Sequence, residues 1–174
     1  MGSSIIDINT IGSFGRVFEL ILTEDDLVTG VHDFRLIGTT KMSGLVRMID
    51  NRYSLTAQLA GQQSVDCTRC LVPVARNLQL EIKAEFVDVG RFVGEQAVEL
   101  SLEDLDADEL VGDVIDLSQL AQEQIALNIP AQLLCREDCK GLCEKCGQNL
   151  NLLDCNCGRD DVDPRWAALK RIKE

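Results

Sequence analysis

The chain has 174 residues, 45% of them apolar and 4% aromatic, and a formal charge of −12. That length suits one compact domain, or a domain with a small appendage, and the apolar share is ordinary for a protein that buries a core. So few aromatics argue against a surface of stacked rings for single-stranded nucleic acid, and the acidity argues against wrapping nucleic acid with the whole surface.

The charge is unevenly spread. Residues 1–91 carry nine basic and eleven acidic side chains; residues 92–135 hold ten Asp or Glu and no Lys, Arg or His; residues 136–174 carry eight of each sign. The central acidic segment reads as a solvated loop that aids solubility, or as a docking surface for a basic partner. No run approaches 18 consecutive apolar residues, so no membrane span is expected. The opening MGSSIIDINTIG has no basic start or long apolar stretch, and Ile6 stands where a myristoylation pattern needs Ser or Thr. These features predict a cytoplasmic chain without membrane contact, in a compartment that keeps thiols reduced.

From Lys41 the hydrophobic pattern takes a period of two for almost fifty residues. LVRMI and YSLTAQLA flank Asp50-Asn51, a turn-prone pair, which predicts a hairpin. Farther on, Leu78, Leu80, Ile82, Ala84 and Phe86 alternate with polar residues, as in a half-buried antiparallel strand. A short strand is expected around 110–117. The clearest helix runs over 118–129: Leu117, Ala121, Ile125 and Ile129 recur every four residues, Asp116 or Ser118 can cap the start, and Pro130 closes it. A last helix is expected from Asp163-Pro164, with Trp166, Leu169 and Ile172 on one side. The fold class is α+β: an antiparallel sheet or partial barrel with a central helix, then a cysteine-rich tail ending in a helix. The division is a sheet domain over 1–130 and a C-terminal extension over 131–174 packed on it.

Six of the eight cysteines fall in CREDCKGLCEKCGQNLNLLDCNC, residues 135–157, and the other two in CTRC, at Cys67 and Cys70. Disulfides would need an oxidising compartment. A redox CxxC would usually open a helix, whereas CTRC lies between strand-like segments. Zinc fits better. Cys143 and Cys146 sit three apart before a glycine, as in a zinc knuckle, and Cys155 and Cys157 give a second arm beyond the turn-rich spacer GQNLNLLD. Cys67 with Cys70, and Cys135 with Cys139, have ligand-like spacing for a second site that ties the sheet to the tail. Two four-cysteine Zn²⁺ sites per chain are expected; a single site drawing mainly on the last five cysteines is the alternative. Each ion with four thiolates carries −2, which Arg69, Arg136, Lys140 and Lys145 can offset while donating hydrogen bonds to sulfur. Such sites stabilise folding and leave no open position to activate water.

Other catalytic signals are absent from the sequence. There is no GxSxG, P-loop or GxGxxG, and the lone histidine, His32, reads as a surface or capping group. A non-enzyme without a small-molecule substrate is expected.

CTRCLVP, VIDLSQLAQEQIALNIP, CREDCKGLCEKCGQNLN with CNC, and DPRWAALKRI together resemble the YceD family, in unbroken order from Cys67 to the C-terminus. That family is described as large-subunit ribosomal RNA accumulation proteins. The resemblance implies a bacterial cytosolic or plastid factor that supports accumulation or processing of large-subunit (23S) ribosomal RNA. The implied partners are that RNA or a pre-ribosomal particle, a basic ribosomal protein, or both. On RNA, the expected face comprises Arg69, Arg136, Lys140, Lys145, Arg165, Lys170, Arg171 and Lys173, with Arg159 beside them. A zinc-stabilised protein–protein adaptor or regulator without RNA contact is the rival expectation.

Overall fold

The computed structural model describes residues 4–27, 34–50, 52–87, 107–110, 112–157 and 165. In chain order these form β1 (Ile5–Asp7), β2 (Arg16–Leu22), β3 (Phe34–Leu36), β4 (Thr40–Ile49), β5 (Arg52–Asp66), β6 (Pro73–Val87), β7 (Asp108–Glu109), β8 (Val114–Asp116) and one helix, α1 (Leu117–Leu127). Residues 92–106 of the acidic segment, His32 and all of the expected last helix but Arg165 lie outside the described residues.

The central sheet runs β2-β4-β5-β6-β7, with β3 paired to the same edge of β5 as β4. Every pair in it is antiparallel except β6 with β7. A separate two-stranded sheet pairs β1 with β8. The class is therefore mostly antiparallel α+β, and among the described residues the central sheet ends at β2 and β7 without closing on itself.

The long hairpins follow from the sequence pattern. β4 and β5 meet at Ile49 opposite Arg52, and Asp50 takes a φ of 47°, a left-handed turn conformation that Asp tolerates better than most residues. β5 and β6 are 15 residues each. At roughly 3.3 Å per residue they make a ribbon about 50 Å long. Their register runs from Tyr53 opposite Phe86 to Asp66 opposite Pro73. The β4–β5 turn and the loop 67–72 therefore sit at opposite ends of β5, and that loop is CTRCLV.

One face of the sheet is apolar. Phe18, Leu20 and Leu22 of β2, Met42 and Val46 of β4, Leu55 and Leu59 of β5, and Leu78 and Ile82 of β6 are buried in one cluster. Leu117, Leu120, Ala121 and Ile125 of α1 join it, as do Ile6 of β1 and Ile115 of β8. Each fully buried Leu or Ile contributes about 1.5–3 kcal/mol, so this layer is a large stabilising term for the sheet. α1 starts where Asp116, in extended conformation, accepts from the Ser118 and Gln119 amides at 2.9 and 3.1 Å. The start is also held by the residue before β1, the Leu117 amide donating to the Ser4 carbonyl at 2.7 Å. The helix ends at Leu127, two residues short of the span the sequence suggests, and Pro130 lies just beyond the cap at Asn128.

Candidate metal centres

Past α1 the chain turns back to the tip of the β5–β6 hairpin. The Thr68 amide and hydroxyl both donate to the Leu133 carbonyl, at 2.8 and 3.0 Å, laying the tail across CTRC. The Leu142 amide then donates to the Arg69 carbonyl at 3.1 Å, and the Arg69 guanidinium donates to the Cys139 carbonyl at 2.9 Å. Between these anchors, four sulfurs converge. Cys67 faces Cys139 at 3.9 Å and Cys70 faces Cys135 at 3.6 Å. All four lie within 4.8 Å of one another. A tetrahedron with metal–sulfur bonds of about 2.3 Å has edges of about 3.8 Å, so the spacing fits one Zn²⁺-sized ion. Cys67, Cys70 and Cys139 are buried and pack with Val74, Leu134 and Leu142, a small core separate from that of the sheet.

Cys143, Cys146, Cys155 and Cys157 form a second group of the same compactness. Its turn closes as a knuckle should: the Gly147 amide donates to the Cys143 carbonyl at 2.8 Å, and the Cys143 amide to the Gln148 carbonyl at 2.8 Å. This group is more open, with Cys146 exposed and the other three half-buried. Among the described residues no further group of His, Cys, Asp or Glu is placed to share an ion.

The electrostatics of both groups are compatible with a bound cation. Burial works to push the Cys67 thiol up, but the amides of Arg69, Cys135 and Cys70 donate to its sulfur and hold it at about 6. Cys135 goes the other way, pushed up to about 12 by burial and by the neighbouring sulfurs of Cys70, Cys139 and Cys67. In the second group the Cys146 and Lys145 amides draw Cys143 down to about 6, while the sulfur of Cys146, with burial, pushes Cys157 up to about 12. Four crowded thiols cannot all ionise together without a positive charge among them. Amide donors already aimed at sulfur, with thiolate-only ligand sets, suit Zn²⁺ and offer no open coordination position.

The basic residues expected near these sulfurs take varied roles. Arg69 is committed to the Cys139 carbonyl. Arg136 reaches Asn151 at 2.8 Å and Asp138 at 3.4 Å, and Lys140 lies 3.9 Å from Asp154. Lys145 and Arg165 are exposed, and Arg159, Lys170, Arg171 and Lys173 lie outside the described residues. A side chain that the sequence did not single out does donate to sulfur: Asn151, whose Nδ2 is 3.3 Å from the Cys139 Sγ.

The family model for the large ribosomal RNA subunit accumulation protein YceD matches residues 55–173, well over half of the chain. The chain belongs to the YceD family. The matched region begins in β5 and takes in both cysteine groups. Among curated relatives, an uncharacterized protein of Mycobacterium tuberculosis is 29% identical over 71% of this chain and 57% of its own length. The uncharacterized protein YlbN of Bacillus subtilis is 27% identical over 80% of this chain and 77% of its own. The Arabidopsis thaliana large ribosomal RNA subunit accumulation protein YCED homolog 1, chloroplastic, is 38% identical over 34% of this chain and 19% of its own. The chain thus spans little more than half the length of the Mycobacterium tuberculosis relative. No solved structure matches.

Proposed function

We propose that this YceD-family chain is a non-enzymatic zinc-binding factor in large-subunit ribosome biogenesis, acting in the cytoplasm to support accumulation of large-subunit ribosomal RNA. The observation that carries the zinc part is the convergence of eight cysteines into two compact four-sulfur groups. Cys67, Cys70, Cys135 and Cys139 would hold one ion, and Cys143, Cys146, Cys155 and Cys157 the other. Both ions would be structural, since a four-thiolate shell leaves no position for water or substrate. In this reading residues 131–174 are an extension clamped to a sheet domain of residues 1–130. The ribosomal part rests on the family, and its partner is ribosomal RNA or a protein of the pre-ribosomal particle.

A second reading, an adaptor without RNA contact, is favoured by one observation. Arg69, Arg136 and Lys140 already serve carbonyls, amides or carboxylates of the chain itself, which lowers the free positive charge around the cysteines. Elemental analysis should find two zinc ions per chain, falling to one in Cys67→Ser and to one in Cys146→Ser. A metal-free native protein would sink the zinc reading. Pull-down of pre-ribosomal particles before and after nuclease separates the partners: an RNA binder loses its partner with the RNA, and its binding falls steeply with salt. An adaptor keeps its partner through nuclease.

A further inference from the structure

Asn151 belongs to the spacer that joins the two arms of the second cysteine group, yet its side chain is spent on the first. Its Oδ1 accepts from the Lys140 amide at 2.8 Å and from the Arg136 guanidinium at 2.8 Å. Its Nδ2 donates to the Cys139 Sγ at 3.3 Å and to the Asn149 Oδ1 at 2.9 Å. An asparagine amide offers two donors and two acceptor lone pairs, and here all four are used. The orientation is fixed by chemistry, because a backbone N–H and a guanidinium can only donate; the oxygen must face them and the NH₂ must face sulfur. Cys139 is thereby cast as an acceptor, the state of a metal-bound thiolate.

The spacer is itself held against residues 141–142, the link between the two groups. The Leu150 amide donates to the Gly141 carbonyl at 2.9 Å, and Leu142 and Asn149 form an isolated antiparallel bridge. The Asn151 amide donates to the Asn149 Oδ1 at 3.0 Å. A metal drawing Cys143 and Cys146 toward Cys155 and Cys157 would fix both ends of this segment and so present Asn151 to Cys139.

Building on the zinc reading above, we propose that Asn151 is a positioning residue that couples the two metal sites: filling the second site orients the amide that steadies the thiolate of the first. By linkage the coupling is reciprocal, so a filled first site also favours the second.

The test uses the full chain, reduced, with Zn²⁺ titrated against a competing chelator and Co²⁺ as a spectroscopic substitute. Asn151→Asp keeps the size and the acceptor oxygen but sets a second oxygen against sulfur. It should still take two ions at saturation, with the first site weakened about tenfold or more, the usual range for a lost partner of a metal ligand. Its Co²⁺ thiolate charge-transfer band should move to lower energy, which a general loosening of the tail would not produce. In a Cys67→Ser background, which leaves only the second site, Asn151→Asp should change affinity less than in the intact protein. Disabling the second site with Cys146→Ser and Cys157→Ser should also weaken the first, and this loss should shrink once Asn151 is Ala, because the two changes remove the same link. Unchanged first-site affinity and spectrum in Asn151→Asp would overturn the proposal while leaving two-zinc binding intact. Full additivity with the second-site changes would overturn the coupling as well. No zinc in the native chain would remove the metal reading itself.

Discussion

Gly141 gives the sharpest check on how the tail is seated. Its φ is +78°, in the left-handed region, and a Cβ there would stand 3.1 Å from the Arg69 carbonyl oxygen. That oxygen has little room to retreat, because it accepts from the Leu142 amide and belongs to the residue whose guanidinium holds the Cys139 carbonyl. Gly147, in the second knuckle, has a nearly equal φ of +71° but open space where its Cβ would be. The conformational part of a glycine-to-alanine change costs about 1–2 kcal/mol at either position. Only Gly141→Ala adds the collision, which raises its cost to about 2–3 kcal/mol. At about 1.4 kcal/mol per factor of ten, Gly141→Ala should weaken zinc at the first site by roughly 30-fold or more. Gly147→Ala should weaken the second by roughly tenfold. Chelator competition on the reduced full chain at one fixed pH reads both numbers. If Gly141→Ala proves no costlier than Gly147→Ala, the close seating of the tail on the Arg69 carbonyl is wrong.

Three further outcomes follow from the same geometry. In chelated, reduced protein, Cys67 and Cys143, held at about 6 against an ordinary thiol value of 9.0, add stability that is complete above pH 9 and lost as pH falls through 6. Cys135 and Cys157, at about 12, add stability complete below pH 9 and lost as pH rises through 12. The thiol part of the thermal midpoint should therefore peak near pH 9, and Cys135→Ser with Cys157→Ser should remove its alkaline fall; an unchanged alkaline limb would contradict this. Asp116→Ala removes the acceptor for two amides at the start of α1 and should cost about 1 kcal/mol in urea unfolding, with Asp116→Asn recovering most of it. Ile125→Ala, at a fully buried position of α1, should cost about 2–5 kcal/mol in the same assay, whereas Ala126→Ser on the exposed side should stay within about 0.5 kcal/mol.

The parts of the fold that local chemistry decides were legible in the sequence. The β4–β5 hairpin announces itself through alternation around Asp50-Asn51, β6 through Leu78 to Phe86, and α1 through its four-residue repeat and the Asp116 cap. β1, β2 and β7 were not legible, for reasons visible at each. In β2, Phe18, Leu20 and Leu22 point into the core, but Val17 and Ile21 are apolar and exposed on the other face, so the alternation is erased. β1 and β7 are only three and two residues long and exist through pairing with distant partners. The eight sulfurs were legible because ligand spacing is a local property. Their seating was not. Asn151 reads like one more turn former in GQNLNLLD, and Gly141 like any glycine, until the Cys139 sulfur and the Arg69 carbonyl are brought beside them.

The two groups differ in what a bound ion would accomplish. Cys70 and Cys135 are separated by 65 residues along the chain, whereas Cys146 and Cys155 are nine apart. Closing the longer loop restricts the unfolded chain more, by (3/2)RT times the logarithm of the length ratio, or about 1.7 kcal/mol. An ion in the first group therefore stabilises the union of hairpin and tail, and its loss should be felt in the unfolding of the entire chain. An ion in the second group organises a short excursion that leaves Leu152 and Leu153 facing solvent. Asn151 lies between these roles, carried by the local loop and donating to a sulfur of the long-range clamp. A chain built this way holds its tail against the hairpin tip and ties the second loop to that clamp through Asn151. On the zinc reading proposed above, a four-thiolate shell leaves function to the surface that the ions would hold in place, not to chemistry at the ions.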